Sequence, residues 1–212
     1  MKYLLLLLVA CRPDVRRFIV VGDTGRPQTR QEAVAASMLD KCTKDGCDFV
    51  LMLGDNFYYS GVDSLDDPMW QNQFEKPYGG FTIPFYAVLG NHDYGLFGRG
   101  FDSVRANYQV EYTRRSKLWR MPARYYQRVE GPVALAGLDT NAMLFQDESA
   151  QQAETRAFLE QTRAPWKLAF GHHPYLSNGP HGDAGNYDAT PGAGATVKAF
   201  LEDAVCGKDD AY

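Results

Sequence analysis

The sequence lacks any block of basic residues, and this absence argues against one class of function. Lysine and arginine total 22, aspartate and glutamate total 26, and the formal net charge is -4. Proteins that bind nucleic acid through its phosphates concentrate positive charge on one surface. The composition therefore predicts no nucleic-acid partner, and no feature indicates a protein partner. A small anion held by metal ions is compatible with this charge balance.

The sequence also lacks an apolar run long enough to span a bilayer, which takes about 20 residues. A short apolar run from Tyr3 to Ala10, behind one basic residue, is typical of an export signal. Residues 1–11 are predicted as that signal, and their end, LVAC, resembles a bacterial lipobox whose cysteine becomes lipidated. We expect an exported, periplasmic or cell-surface protein with Cys11 as a candidate membrane anchor. A plain secretory signal, a wrongly assigned start or a buried first strand are the alternatives.

Cysteine is scarce, with four in the chain. Cys42 and Cys47 lie close together, and in an oxidising compartment they could close a small loop. Two free thiols are the alternative. A zinc site is disfavoured because no CxxC pair or neighbouring histidine accompanies them.

Short apolar runs recur along the 212 residues, a length typical of one globular domain. Five of them are typical of buried strands, because each is followed by Gly, Asp, Asn or His: RRFIVVGD, DFVLMLGDN, PFYAVLGNHD, VALAGLDTN and WKLAFGHHP. Helices are predicted between them, at residues 28–44, 67–75 and 147–163. This alternation predicts an α/β domain with largely parallel strands. Residues 94–121 are interpreted as a surface insertion, and residues 178–195 as a long loop.

Polar side chains follow four of these predicted strands, each after a glycine: Asp23, Asp55, Asn91 and His172. Loops at the carboxyl ends of parallel strands gather at one edge of a sheet. Carboxylate, amide and imidazole ligands suit Mn, Fe or Zn. One such residue alone is better explained by turn formation, but four together predict a metal site.

All four histidines lie in or near these loops: His92, His172, His173 and His181. A lone histidine is usually structural or solvated, whereas a cluster favours metal binding and acid–base chemistry.

The ordered blocks GD, GDN, GNHD and GH, which begin at Gly22, Gly54, Gly90 and Gly171, resemble those of the calcineurin-like metallophosphoesterases. The resemblance runs from about Phe18 to the end of the sequence. It implies a four-layer α-β-β-α sandwich, with residues 16–212 as the catalytic domain.

One departure from the family pattern selects a branch. Most members carry a histidine two residues after the first aspartate, whereas Asp23 is followed by Thr24 and Gly25. The second block, GDNFYYSGV, is similar to the purple acid phosphatase signature, in which a tyrosine takes that coordination position. Tyr58 is the matching residue, and its phenolate would favour Fe(III). The alternative is that Tyr58 packs beneath its loop.

The resemblance implies two metal ions, Fe(III) and a divalent Fe, Zn or Mn. Asp55 would bridge them, with Asp23 and Tyr58 at one metal and Asn91 and His172 at the other. The family adds two ligands from a final GHxH block. This sequence contains no such block, so we expect it to stop before the C-terminal part of the catalytic domain.

The implied reaction is hydrolysis of a small phosphate monoester by a metal-bound hydroxide. Asn91 and His92 would contact the phosphate, His92 would assist the leaving group, and Asp93 would orient the imidazole of His92. His181 would be a second acid or substrate contact. A phosphodiesterase or nucleotidase of the same fold is one alternative. A catalytically inactive, lipid-anchored binding protein is another, if the protein truly ends at Tyr212.

Overall fold

The computed structural model describes residues 15–26 and 29–212. The predicted export signal and Cys11 lie outside the described residues, and their assignment stays a prediction. In the described part of the chain, no helix has the length and apolar character needed to cross a membrane.

Over residues 15–26 and 29–212, seven strands form two sheets. The first sheet is parallel throughout, in the order β1 (Phe18–Val21), β2 (Phe49–Met52), β3 (Phe85–Ala87) and β4 (Trp119–Arg120). The second has the order β5 (Tyr126–Glu130), β6 (Val133–Gly137) and β7 (Trp166–Phe170). In it, β5 pairs antiparallel with β6, and β6 pairs parallel with β7. All five apolar runs predicted as strands are confirmed.

The helices lie between these strands, except for the last one, which follows β7. They are α1 (Thr29–Asp45), α2 (Lys76–Tyr78), α3 (Ser103–Tyr112), α4 (Ser149–Gln161) and α5 (Ala195–Ala204). A π-helical turn over Trp70–Glu75 leads directly into α2. The three predicted helices are confirmed, the second as this turn and α2 together. The predicted loop at residues 178–195 holds only a short helical turn, Tyr187–Ala189.

Two hydrophobic cores lie between the layers of sheets and helices. Strand β2 is buried along its whole length, because the first core surrounds it with Ala35 of α1 and with Val133 and Leu135 of the second sheet. The second core packs Ala136, Leu138 and Ala169 of that sheet against side chains of the last two helices, among them Leu159, Val197 and Leu201. Helix, sheet, sheet and helix thus form the four layers that the family resemblance implied. The Tyr126 hydroxyl ties the sheets together by donating to the Ala87 carbonyl at 2.9 Å.

The interpretation of residues 94–121 as a surface insertion is wrong. This segment supplies α3 and the edge strand β4, and Trp119 and Ala106 are fully buried. The physical reason is aromatic packing: Tyr112 stacks on Trp70 with ring centroids 3.6 Å apart, and Trp119 meets the same indole edge-on. The aromatics that suggested an irregular insertion instead complete the first core.

Cys42 and Cys47 are joined by a disulfide. The bond closes the turn between α1 and β2, so the alternative of two free thiols is wrong. Cys206 is an exposed, free thiol.

Candidate metal centre

The predicted ligands stand where four strands end. Asp23 follows β1, Asp55 follows β2, Asn91 follows β3 and His172 follows β7. Asp23 and Asp55 have left-handed backbones, with φ of +57° and +51°, a conformation that aspartate tolerates better than most residues. The chain therefore turns sharply at the sheet edge and aims both carboxylates at one region.

Glycine is required where the second and third of these loops meet. Gly54 has φ of +86°, and a Cβ there would lie 2.6 Å from the Gly90 amide nitrogen. Only glycine allows this approach of two backbones. The loops that carry Asp55 and Asn91 are consequently packed against each other.

The structure brings all five predicted ligands together. The donor atoms of Asp23, Asp55 and His172 lie within 4.8 Å of one another. The Tyr58 hydroxyl donates to Asp23 Oδ1 at 2.8 Å, so its polar end belongs to the cluster rather than to packing beneath a loop. Asn91 Oδ1 lies 3.0 Å from His172 Nε2.

The orientation of His172 tests whether these residues fit a metal ion. Its Nδ1 lies 2.9 Å from the Leu53 carbonyl oxygen, an acceptor, so Nδ1 carries the proton. Its Nε2 then faces Asn91 Oδ1 at 3.0 Å and Asp55 Oδ1 at 3.5 Å. Because these atoms all present lone pairs to one another, a proton or a metal cation between them makes the arrangement favourable. A metal-binding histidine usually donates its other ring N–H to a carboxylate, a backbone carbonyl or water, which fixes the orientation of the ring.

The side chain of Asn91 is also oriented as a metal ligand would be. Its Nδ2 donates to the Gly98 carbonyl at 3.0 Å, which turns Oδ1 toward His172. The cluster thus offers four oxygen donors and one imidazole nitrogen, which come from Asp23, Asp55, Tyr58, Asn91 and His172. Such a set of donors suits Fe, Mn or Zn. The residues fit a metal site.

Tyr58 is held as a neutral phenol by its surroundings. Burial raises its pKa, and hydrogen bonding and negative charge from Asp55 and Asp23 raise it further. A bound cation would reverse this balance, because it would replace the phenolic proton and neutralise the carboxylates. The Arg26 guanidinium lies 5.2 Å from the centre of the Tyr58 ring.

His92 lies at the rim of the cluster. Its Nδ1 is 2.8 Å from the Tyr59 carbonyl oxygen, so Nδ1 carries a proton and Nε2 faces the site, 3.9 Å from Asp55 Oδ2. The His92 amide also donates to Asp55 Oδ1 at 3.0 Å. This placement suits a side chain that contacts a ligand of the metals without binding them itself.

The other two histidines differ from each other. His181 lies in the long loop, is exposed, and its Nδ1 is 2.7 Å from Asp188 Oδ1. It stands outside the ligand cluster. Burial, with the nearby charges of His172 and His181, lowers the pKa of His173 to about 3, and its Nδ1 lies 2.8 Å from Thr140 Oγ1. His173 is therefore a neutral, structural histidine.

The expectation that Asp93 orients His92 is wrong. Asp93 is fully buried, and its oxygens accept from the backbone amides of Asn56 at 3.0 Å and Gly90 at 2.8 Å. Gln109 Nε2 also donates to it, at 2.9 Å. Burial and the charge of Asp55 raise the pKa of Asp93 to about 6. Asp93 thus joins the two loops that present Asp55 and Asn91.

Comparison with known proteins identifies a family and its members. The family model described as calcineurin-like phosphoesterase matches residues 16–203. Tartrate-resistant acid phosphatase type 5 of Oryctolagus cuniculus is 32% identical over 197 residues, which cover 78% of this chain and 58% of the relative. Purple acid phosphatase 3 of Arabidopsis thaliana is 32% identical over 191 residues, which cover 78% of this chain and 50% of the relative. The chain thus spans between half and three fifths of these relatives.

A solved structure resembles the fold. It is described as GAP50, the anchor in the inner membrane complex of Plasmodium, and matches with a TM-score of 0.69 at 21% identity. The match covers 89% of this chain and 62% of that chain. At this identity the likeness concerns the fold alone.

Proposed function

The chain belongs to the calcineurin-like phosphoesterase family, and from that membership we propose that the protein hydrolyses phosphate monoesters at a di-metal centre. The two relatives named above from Oryctolagus cuniculus and Arabidopsis thaliana are acid phosphatases. The observation that carries the proposal is the convergence of five donor side chains at four strand ends, with His172 Nε2 facing Asn91 Oδ1 at 3.0 Å. We propose this activity of the whole protein, because the chain spans 58% of the length of the first relative.

The residues that would hold the metals divide into two groups. Asp23 and Tyr58 would bind one ion, which the phenolate favours as Fe(III), and Asn91 and His172 would bind a divalent Fe, Zn or Mn. Asp55, which is buried, would contact both. When bound, such ions polarise a phosphoryl oxygen and make water a nucleophile near neutral pH.

The side chain of His92 would carry the leaving-group proton. Its Nδ1 proton is held by the Tyr59 carbonyl, so a second proton can occupy Nε2 and pass to the alcohol oxygen as the ester bond breaks. Asn91 and His92 would together contact the phosphate. We propose His181, which pairs with Asp188, as a second acid or substrate contact.

The test is hydrolysis of p-nitrophenyl phosphate by the purified protein loaded with iron and zinc, together with metal analysis. We expect two metal ions per molecule of the whole protein and release of nitrophenol. Asp55→Asn should lose both metals and activity. The matched control is Asp45→Asn, which changes an exposed carboxylate at the end of α1 and should leave both unchanged.

Two outcomes would contradict the proposal. Faster cleavage of bis-p-nitrophenyl phosphate than of the monoester would favour a phosphodiesterase. Metal binding without hydrolysis of either ester would favour the catalytically inactive binding protein.

We also propose export, with Cys11 as the lipid-bearing residue. What supports export is the disulfide between Cys42 and Cys47, since such bonds persist in oxidising compartments. Cells fed a labelled palmitate analogue should label the protein, and Cys11→Ser should abolish the label. An unlabelled wild-type protein would contradict the anchor.

A further inference from the structure

A short loop beside the metal centre has an unfavourable backbone. Gly95, Leu96, Phe97 and Gly98 all have positive φ, at +87°, +47°, +53° and +81°. Glycine tolerates this region, but for an L-residue with a large side chain it is unfavourable. Leu96 and Phe97 are also 70% and 71% exposed. The loop therefore adopts a strained backbone and presents two large apolar side chains to solvent.

This loop lies directly against the residues proposed to contact the phosphate. A Cβ on Gly98 would lie 2.4 Å from Asn91 Nδ2 and 2.9 Å from His92 Nε2. The Gly98 carbonyl oxygen accepts a hydrogen bond from the side-chain Nδ2 of Asn91 at 3.0 Å. Phe97 thus immediately precedes the residue that lies against Asn91 and His92.

Contacts on the other side hold the loop in place. The Phe97 amide donates to Ser60 Oγ at 3.1 Å, and Arg105 donates to the Ser60 carbonyl at 3.0 Å. The aliphatic part of Arg105 fills the space at Gly95, where an added Cβ would lie 3.1 Å from its Cδ. The loop is preformed, and a preformed surface binds at a lower entropic cost than one that must order.

Aromatic rings continue from the metal centre to this loop. The Tyr58 and Tyr59 centroids are 6.1 Å apart, and those of Tyr59 and Phe97 are 6.4 Å apart. Tyr59 is 56% exposed, and the Arg26 guanidinium lies 5.9 Å from its ring centre. We call Tyr59, Leu96 and Phe97 the aromatic rim.

We propose that the aromatic rim binds the aromatic group of an aromatic-alcohol phosphate monoester whose phosphate lies at Asn91 and His92. The inference rests on the proposed function and specifies its substrate class. The alcohol part of a bound ester must extend away from the metals, and the rim is the apolar surface next to His92. A flat ring there would contact Phe97 and Tyr59, whereas a methyl ester has no ring to place there.

The test compares benzyl phosphate with methyl phosphate, because their leaving alcohols have similar acidity and differ in the ring. Wild-type protein should favour the benzyl ester in kcat/KM, and Phe97→Gly should reduce that preference about fivefold to tenfold. Glycine suits the left-handed backbone at this position, so the variant should fold. Phe97→Asn, which also tolerates this conformation, serves as a second variant.

The matched control is Trp166→Ala, an aromatic residue that is 59% exposed at the start of β7, away from His172. It should leave the ratio of the two esters unchanged. An undiminished benzyl preference in both Phe97 variants, or no preference in the wild type, would contradict binding of the aromatic group by the rim. Neither result would contradict the proposed hydrolase activity.

Binding measurements separate this inference from the proposed function. Calorimetry on the metal-loaded protein should show tighter binding of benzylphosphonate than of methylphosphonate, and Phe97→Gly should reduce the difference. That result without hydrolysis of either ester would support the rim and contradict the hydrolase. Equal binding of both phosphonates would overturn the rim whatever the activity.

Discussion

Gln109 donates from Nε2 to Oδ1 of Asp93 at 2.9 Å, although neither side chain belongs to the donor cluster. The same glutamine accepts from the Asn56 side chain at 3.2 Å. Both partners are buried and flank the loops that present Asp55 and Asn91. The position of the donor cluster therefore depends on a helix, α3, that contributes no predicted ligand.

We expect Gln109→Leu to weaken both the fold and the metal site. The change leaves the buried Asp93 and Asn56 short of partners, which costs roughly 1–3 kcal/mol. Loss of a residue that supports metal-binding loops typically lowers affinity about 10- to 100-fold. Urea unfolding and metal titration measure the two effects.

Gln152→Leu is the control for this prediction. It removes a glutamine from α4 that donates to Asp203 at 2.5 Å, away from the donor cluster. Its metal affinity should equal that of the wild type. Unchanged affinity in Gln109→Leu would show that Asp93 holds the two loops without the glutamine.

The strands and the strand-end ligands were predictable because their signals are local. A run such as FVLML, followed by Gly54 and Asp55, indicates both a buried strand and a turn. Tyr58 has no such signal and was found through the family resemblance. The structure adds its hydrogen bond to Asp23.

Gln109 and the aromatic rim could not be predicted, because their positions depend on contacts distant in sequence. Gln109 reaches Asn56 across 53 residues, from a segment whose glycines and arginines suggested a surface insertion. Nothing in the letters GLFG indicates that Leu96 and Phe97 have left-handed backbones. Those conformations follow from packing against Ser60, Asn91 and Arg105.

The disulfide should stabilise the fold and leave the metal site unaffected. Cys42 and Cys47 close a loop of about six residues, for which chain entropy predicts a contribution of about 2 kcal/mol. We expect the double variant Cys42→Ala, Cys47→Ala to lose about that much in urea unfolding. Its metal affinity should not change, because the bond lies at the opposite end of β2 from Asp55.

Cys206→Ala provides the comparison, since that thiol is free and exposed. It should unfold at the same urea concentration as the wild type. A double variant as stable as the wild type would mean that the bond adds nothing to the fold.

Asp139 should make stability depend on pH. Burial raises its pKa to about 6 from 3.8, against the hydrogen bonds from the Tyr94 hydroxyl and the Ala142 amide. Between these values the folded protein retains a proton that the unfolded chain has released, so stability falls as pH rises. The loss is complete above the folded pKa, and from about pH 4 to about pH 7 it amounts to roughly 2 kcal/mol.

Asp139→Asn isolates this contribution because asparagine does not titrate. The difference in unfolding free energy between variant and wild type should shift by roughly 2 kcal/mol in favour of the variant over that range. All other titrating groups cancel in the difference. A shift of the opposite sign would mean that Asp139 is stabilised as a carboxylate by the Tyr94 hydroxyl and by the nearby positive charge of Arg124.

Tyr58→Phe should remove the visible colour of the iron-loaded protein. In the metal-free protein, burial and the carboxylates of Asp55 and Asp23 raise the pKa of Tyr58, so iron must displace the phenolic proton to bind. Iron binding should therefore strengthen as pH rises, with release of one more proton in the wild type than in the variant. Tyr59→Phe, beside it and outside the donor cluster, should keep the absorption band. Visible spectra and proton release during iron titration measure both effects, and a coloured Tyr58→Phe protein would exclude Tyr58 as an iron ligand.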